Sequence, residues 1–291
     1  MASTDIDVSF VAKFRDDFTL QYQQLTSKLR ETVDTDYTSD GAAIYFDFIG
    51  QAHVRPRVTV AEATQHNPPP HSRRLIRPAT YKADAYLGDP DIQKMGRSPQ
   101  NKWVQAFIAA HARNTDARII AAAMGNAVAA DESLAETLIA LPASQKIAAG
   151  ATGLTFEKVR DAKSLLDTAE VPLEDRYAVI SPLQDNDLMN DSKATSSEYI
   201  SRKVLDKGTI AGESWMGFQW RISNQLPKSG SERLCLFYHK AALGLWVPMD
   251  VRSNIARDPA HSFDWAIVVE MSCNATRVQD AGVVQVACVE S

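Results

Sequence analysis

Five arginines, Arg55, Arg57, Arg73, Arg74 and Arg77, stand in one stretch in which Glu62 is the only acidic residue. A guanidinium presents its N–H donors in a planar fork, so the chemistry open to it is paired hydrogen bonding to phosphates or carboxylates. Five positive charges against one negative make the stretch +4, and the whole chain carries a formal −5, so the remainder is −9. An acidic body bearing a basic strip is self-complementary, which favours contact between identical copies over DNA as the purpose of these arginines. The pI near 5.7 points the same way, because domains built chiefly to grip nucleic acid carry a positive excess.

No other group of residues has the spacing that a known chemistry requires. "GESWMG", 212–217, offers Ser214 as a nucleophile, but a nucleophile elbow needs glycine where Met216 stands. A hydrolase would have to join Ser214 to His239 and to an orienting carboxylate; His239, in "LFYHKAALGL", reads more simply as a hydrogen-bonded residue of a strand-rich core. "DTDYTSDG" misses the calcium-loop spacing, with Thr38 and Ser39 where a ligand and the glycine belong. The six histidines, at 53, 66, 71, 111, 239 and 261, form no close ligand pair. Dinucleotide, P-loop and zincin motifs are absent. The chain is therefore expected to be no enzyme, with no catalytic residue, no cofactor and no metal. Cys235, Cys273 and Cys288 lack CxxC spacing and the first residues lack a secretory leader, so synthesis in a reducing, intracellular compartment is expected. Asn190 and Asn274 then match the glycosylation pattern by chance. No apolar run approaches the ~18 residues of a membrane span.

The elements that must position the arginines follow from hydrophobic period and punctuation. Phe10, Phe14, Phe18, Tyr22, Leu25 and Leu29 recur at helical steps and predict an amphipathic helix over 10–30. "AAIYFDFIGQAHVRPRVTV" reads as strands. From 51 to 83 no helical period survives, and Pro56, Pro68, Pro69, Pro70 and Pro78 suit an edge ribbon or a loop. An extended hairpin with an irregular tip fits. With arms of about 15 residues at roughly 3.3 Å each it would reach about 50 Å, against a radius of gyration of about 18 Å for the body. Such an arm must lie on something other than its own body. One or two alanine-rich helices are expected over 99–130, strand and turn over 131–153, and a helix over 155–170 capped by Thr155 and stopped by Pro172. "RYAVISP" reads as a buried strand and "LQDNDLMND" as a short helix, in which Asp185 and Asp187 cap or flank. Strand-rich runs fill the remainder. The order is α+β rather than regular βαβ alternation.

In that order the segments resemble the major capsid proteins of tailed bacteriophages. The matches are Tyr81 and Ala83; Asp91, Ile92 and Lys94; and Arg113, Asp116, Ile119 and Ala122. They continue with "LTFEKVRDAKSLLDTAEVPLEDRYAVISP", "GTIAGESWMGFQWRISNQLP" and the closing strands "HKAALGLWVP" through "VQVACVES". The resemblance spans about 40–291 and implies an α+β, Hong Kong 97-type fold. In it 1–51 is an N-terminal arm, 52–84 an extended β-hairpin arm, and 85–174 a peripheral domain with its long spine helix at 155–170. Residues 175–261 are an axial domain, and 262–291 are strands returning to the peripheral domain. It implies hexamers and pentamers closing an icosahedral shell around packaged double-stranded DNA, which touches the inner face without sequence specificity. Assembly in the host bacterial cytoplasm and residence in the virion capsid follow, with no membrane. Scaffolding, portal and decoration proteins are the further partners it suggests, although residues 1–40 carry no evident scaffolding segment. A nanocompartment shell of the same fold is the alternative. Some family members crosslink through an arm lysine; within 52–83 the lysine is Lys82, at the base, and crosslinking is not expected. The five arginines become expected intersubunit contacts of the arm. Replacing Arg73 and Arg74 with glutamate should then impair assembly and leave the monomer folded.

Overall fold

The computed structural model describes residues 20–60, 63–64, 66–95, 100–130, 135–191 and 208–290. Numbered along the chain, the strands form three sheets. The largest has seven strands in the order β7 (Lys146–Ile147), β15 (Val283–Val289), β12 (Glu232–His239), β8 (Arg176–Ile180), β10 (Phe218–Ile222), β9 (Ser214–Trp215), with β11 (Lys228–Ser229) paired to β12. β8 is buried along its whole length, as the apolar run "RYAVI" predicts for a central strand. It pairs parallel with β10 and antiparallel with β12, and Phe218, Trp220 and Phe237 pack edge to face beside it. Helix α3 (Phe156–Thr168) buries Val159, Ala162 and Leu166, at three- and four-residue steps, and Thr155 accepts the Lys158 N–H as its cap. Helix α4 (Pro182–Asn190) follows β8. Its Asp185 caps no helix: it accepts from the Ile210 N–H and the Thr209 hydroxyl, tying the segment before β9 to α4.

The second sheet runs β1 (Asp34–Asp36), β13 (Leu243–Asp258), β14 (Asp264–Arg277), β4 (Ala79–Leu87). Helix α1 (Asp89–Met95) turns the chain after β4, and α2 (Gln100–Met124) then lies along β14. Its buried face carries Ala109, Thr115, Asp116, Ile119, Ile120 and Ala123, and His111 Nε2 meets the Val269 carbonyl at 3.0 Å. The third sheet is β2 (Ile44–Ile49), β3 (His71–Ile76), β5 (Ala127–Ala130), β6 (Glu136–Ile139).

One expectation changes here. The N-terminal helix, whose first half lies outside the described residues, does not run through 20–29, and Tyr22 and Leu25 are exposed. The buried Asp116 carboxylate accepts from the backbone N–H groups of Lys28 and Leu29, at 3.0 and 3.1 Å, and from the side chains of Gln24 and Ser27. The carboxylate thus captures donors in a non-helical conformation, and the chain continues as a single 3-10 turn at Arg30–Thr32 into β1. Among the described residues the longest helix is α2, with 25 residues, and α3 is a 13-residue element packed on the seven-stranded sheet. β14 pairs with β4, and β15 lies between β12 and β7. Its sequence "VVQVACV" is buried on both faces, which suits an interior strand rather than a sheet edge.

The end of β15 is fixed by a buried carboxylate. Glu290 accepts two bonds from Arg233, at 2.8 and 2.9 Å, one from the Ser181 hydroxyl at 2.9 Å, and lies 3.2 Å from the Lys228 ammonium. Arg233 chiefly, against the opposing effect of burial, holds this carboxyl down at about 2 from its ordinary 4.5. A carboxyl depressed on folding contributes stability that is complete above the unfolded value and lost as pH falls through the folded one. Glu290→Gln should therefore cost about 1.5–3 kcal/mol at pH 7, the range for hydrogen bonds to a charged group. The difference from the unmodified chain should shrink as pH is lowered from 4.5 towards 2. Urea midpoints measured across that interval check it; a gap that stays constant would assign the effect to packing.

Candidate functional site

The arginine-rich stretch is mounted on the β2–β3 hairpin. Inward-facing Phe46 packs on Gly244, where any Cβ would meet its ring at about 2.9 Å, and outward-facing Tyr45, Asp47 and Ile49 are exposed. The ladder pairs Ile44 with Ile76 through Ile49 with His71. It closes where the Gly50 N–H donates to the Pro70 carbonyl at 2.7 Å, an approach so close that a Cβ on Gly50 would strike the proline ring. Three prolines in a row, 68–70, offer no N–H, so pairing goes no further. The paired part therefore begins nearer the N-terminus than the expected 52 and is six residues per strand, about 20 Å. The return strand ends at Ile76, and β4 is already part of the second sheet. Lys82, in β4, pairs with Asp84 at 3.5 Å.

Beyond the ladder, 51–60 are exposed without exception. Val54, Val58 and Val60 are 101%, 80% and 89% exposed, and they alternate with Arg55, Arg57 and Thr59. Arg57 Nε donates to the Thr59 carbonyl at 2.8 Å. Period-2 alternation of apolar and basic side chains is a strand pattern, yet no strand forms among these residues.

The five arginines divide between this loop and the hairpin's base. Arg73 faces its cross-strand neighbour Asp47 at 3.3 Å and stacks over Tyr45. Arg77 bonds both carboxylate oxygens of Glu136 on β6, one at 3.0 Å. Arg74 is 6% exposed, lies over Phe48, and donates to Asp280 at 3.1 Å. Asp280 also accepts from Arg277, which is fully buried. The remaining donors of Arg277 reach the carbonyls of Ala123 and Gly125 at the end of α2 and of Ile139 on β6. One buried guanidinium thus joins a helix end, a strand and, through Asp280, the hairpin. Arg73, Arg74 and Arg77 each have a partner in their own chain, and Arg74→Glu would put a carboxylate against Asp280. The double replacement of Arg73 and Arg74 therefore does not separate assembly from folding.

Sequence reasoning missed Arg277. Its only local signal is an Arg-x-x-Asp spacing with Asp280, and its other partners are 138–154 positions away. Arg176, which the sequence places in a strand, also ties the turn after α3 to the helix by bonding Asp167 at 2.6 Å and the carbonyls of Val171 and Pro172.

The hydrolase pair does not meet. Ser214 on β9 and His239 on β12 are separated by β10 and β8, three strand spacings or about 14 Å. His239, its pKa lowered by burial, accepts the Ala241 N–H at 3.2 Å and caps a 3-10 turn. Among the described residues no group of three His, Cys, Asp or Glu side chains is placed to hold a metal, and no helix is long and apolar enough to cross a membrane.

A family model described as phage capsid protein matches residues 6–290. Among solved structures, the capsid of the cyanophage P-SCSP1u is similar at a TM-score of 0.75 and 16% identity, over 98% of this chain and 95% of that one. A structure from Mycobacterium phage Che8 gives 0.71 and 19%, over 95% and 97%. The capsid asymmetric unit of cyanophage Pam1 gives 0.72 and 11%, over 99% of each. No curated protein matches the chain.

Proposed function

The chain belongs to the phage capsid protein family and is a phage major capsid protein; from that premise we propose that its copies assemble as hexamers and pentamers into an icosahedral shell around double-stranded DNA. The loop 51–60 lies across the neighbouring copy. In this reading the β2–β3 hairpin with its loop is the extended arm. The sheet carrying α2 is the peripheral domain, with α2 as its spine, and the seven-stranded sheet with α3 and α4 is the axial domain. Assembly takes place in the host cytoplasm, and the DNA meets the inner face without sequence specificity. Portal, scaffolding and decoration proteins are the partners such a shell implies.

The observation that carries this assignment of the arm is the valine–arginine alternation of 54–60 in full exposure. Val54, Val58 and Val60, with Pro56 between the first two, form an apolar strip whose side chains are exposed among the described residues. A strand-patterned segment without a ladder gains both hydrogen bonds and burial on a neighbour. Arg55 and Arg57, on the opposite side of the strip, supply the charge for an acidic surface, whereas Arg73, Arg74 and Arg77 hold the arm to its own body. Repetition of one modest contact around a closed shell multiplies its effect.

Electron microscopy of the purified protein tests the shell: closed particles or rings are expected, and a monomer under every assembly condition would refute it. Shells filled with enzymes in place of DNA would indicate a nanocompartment. Arg55→Glu with Arg57→Glu should abolish particles and leave the melting temperature of the unassembled chain unchanged; normal particle yield from that variant would remove the loop from the interface.

A further inference from the structure

At the foot of the hairpin, between β3, α2, β5 and β14, lies a cavity of about 290 Å³ whose polar lining is Arg77, Arg118, Asn126, Asn274 and Thr276. Its volume is at the small end of ligand sites, enough for a side chain and too tight for a nucleotide. Most of the polar groups there are engaged. Arg77 holds Glu136. Asn274 donates to the Arg77 carbonyl at 2.7 Å and accepts the Ala275 N–H at 2.9 Å. Arg118 differs. The residue is half-buried; among the described residues its guanidinium has no carboxylate and no hydrogen bond, its Nε is buried without a partner, and its neighbours are the Tyr81 ring, 5.7 Å away, and the Cys273 thiol. A half-buried guanidinium beside a ring face, with its Nε shut off from water, gains most from a bidentate carboxylate.

We infer that this cavity is a receptor for an aspartate or glutamate side chain of a second copy of the chain, with Arg118 as the group that takes it. Three observations converge on that occupant. The cavity opens beside the hairpin, the element that reaches away from the body. Its free charge is positive, while the chain outside the arginine stretch carries a net −9 (−5 less +4). Ala121 and Ala122, small side chains on its helical wall, leave the guanidinium approachable. The inference rests on the shell-forming reading above and gives that shell a second, chemically distinct contact, one made at the arm's root rather than its tip.

Arg118→Met removes the charge and keeps the stem; Arg118→Lys keeps the charge and loses the fork. The unassembled Arg118→Met chain should melt close to the temperature of the unmodified chain, since no hydrogen bond or ion pair among the described residues is removed. Its assembly should require about tenfold more protein, the factor expected from losing one modest contact per copy. Arg118→Lys should fall between the two. Arg118→Met that assembles as readily as the unmodified chain would overturn the inference. So would a melting temperature lowered in the unassembled chain and matched by Tyr81→Leu, which would assign Arg118 to packing on that ring. Cryo-electron microscopy of unmodified particles is the direct check: a neighbour's carboxylate in bonding distance of Arg118 supports the inference, and water or a solute anion alone there defeats it. If the unmodified chain forms no particles, it is the shell assignment that fails; if it does and the Arg118 variants match it, only the receptor is lost.

Discussion

Arg277→Met should destabilise the monomer by about 3–5 kcal/mol, the range for removing one partner of a buried ion pair, measured by urea unfolding. The expected size follows from what the side chain leaves behind. Asp280 keeps a single partner, Arg74, and the carbonyls of Ala123, Gly125 and Ile139 lose the donors that reach them at 3.2, 2.6 and 2.9 Å. Each buried acceptor left without a partner costs roughly 1–3 kcal/mol. Arg277→Lys should recover little, because the acceptors are met by three separate nitrogens of a planar fork, Nε on Asp280, one terminal nitrogen on Ala123 and Gly125 and the other on Ile139, and an ammonium is a single point. Arg74→Met and Arg277→Met should be non-additive when combined, since both act through Asp280. Hydrogen exchange should rise first in β3 and β6, the strands this hub ties to the end of α2. A loss below about 1 kcal/mol, or full rescue by lysine, would mean the hub is dispensable.

Lys158→Met should be the next most damaging substitution. The Lys158 side chain is buried in α3, and its three N–H donors are shared among the carbonyls of Ala149, Thr152, Gly153 and Ala287, which lie 2.7 to 3.1 Å from Nζ. Three of these belong to one tight loop in which Gly150 and Ala151 both adopt positive φ. For Ala151 this is a conformation that costs of order 1 kcal/mol and persists only where surrounding contacts hold it. Methionine fills the same space and supplies no donor. The expected loss is about 3 kcal/mol, with the loop's amides becoming exchangeable, and an unchanged urea midpoint would show that water substitutes for the ammonium.

Both residues mark where sequence reasoning reached its limit. Helix α3, its Thr155 cap and strand β8 were legible because period, capping and apolar runs are local properties. The hairpin was legible as a proline-punctuated ribbon, but its ends were not: the ladder starts at Ile44 because Phe46 has a seat on Gly244, a residue far along the chain. The arginine strip could be counted but not sorted. Arg55 and Arg57 look like Arg74 in sequence, and only the fold brings Asp280 to Arg74 from 206 positions away. The N-terminal helix had the right period and failed because Asp116 offered its donors an acceptor that no local pattern discloses. Arg118 was passed over because an unsatisfied group is visible only once its surroundings exist.

The second sheet has a consequence for how the chain is made. β1 pairs Asp34 with Gly244, and β4 pairs Leu87 with Trp265, so neither can find its neighbour until β13 and β14 have left the ribosome. At about 5–20 residues per second, synthesis of the intervening chain takes roughly 10–40 s. From the end of α2 at Met124 to the end of β14 at Arg277, roughly 8–30 s at that rate, the apolar side of α2 has been made and the sheet that covers it has not. The seven-stranded sheet also waits, for β15, but its centre of β8, β10 and β12 is contiguous in sequence and is complete sooner. The nascent protein is thus half-covered for tens of seconds, a substrate for chaperones before it is a building block.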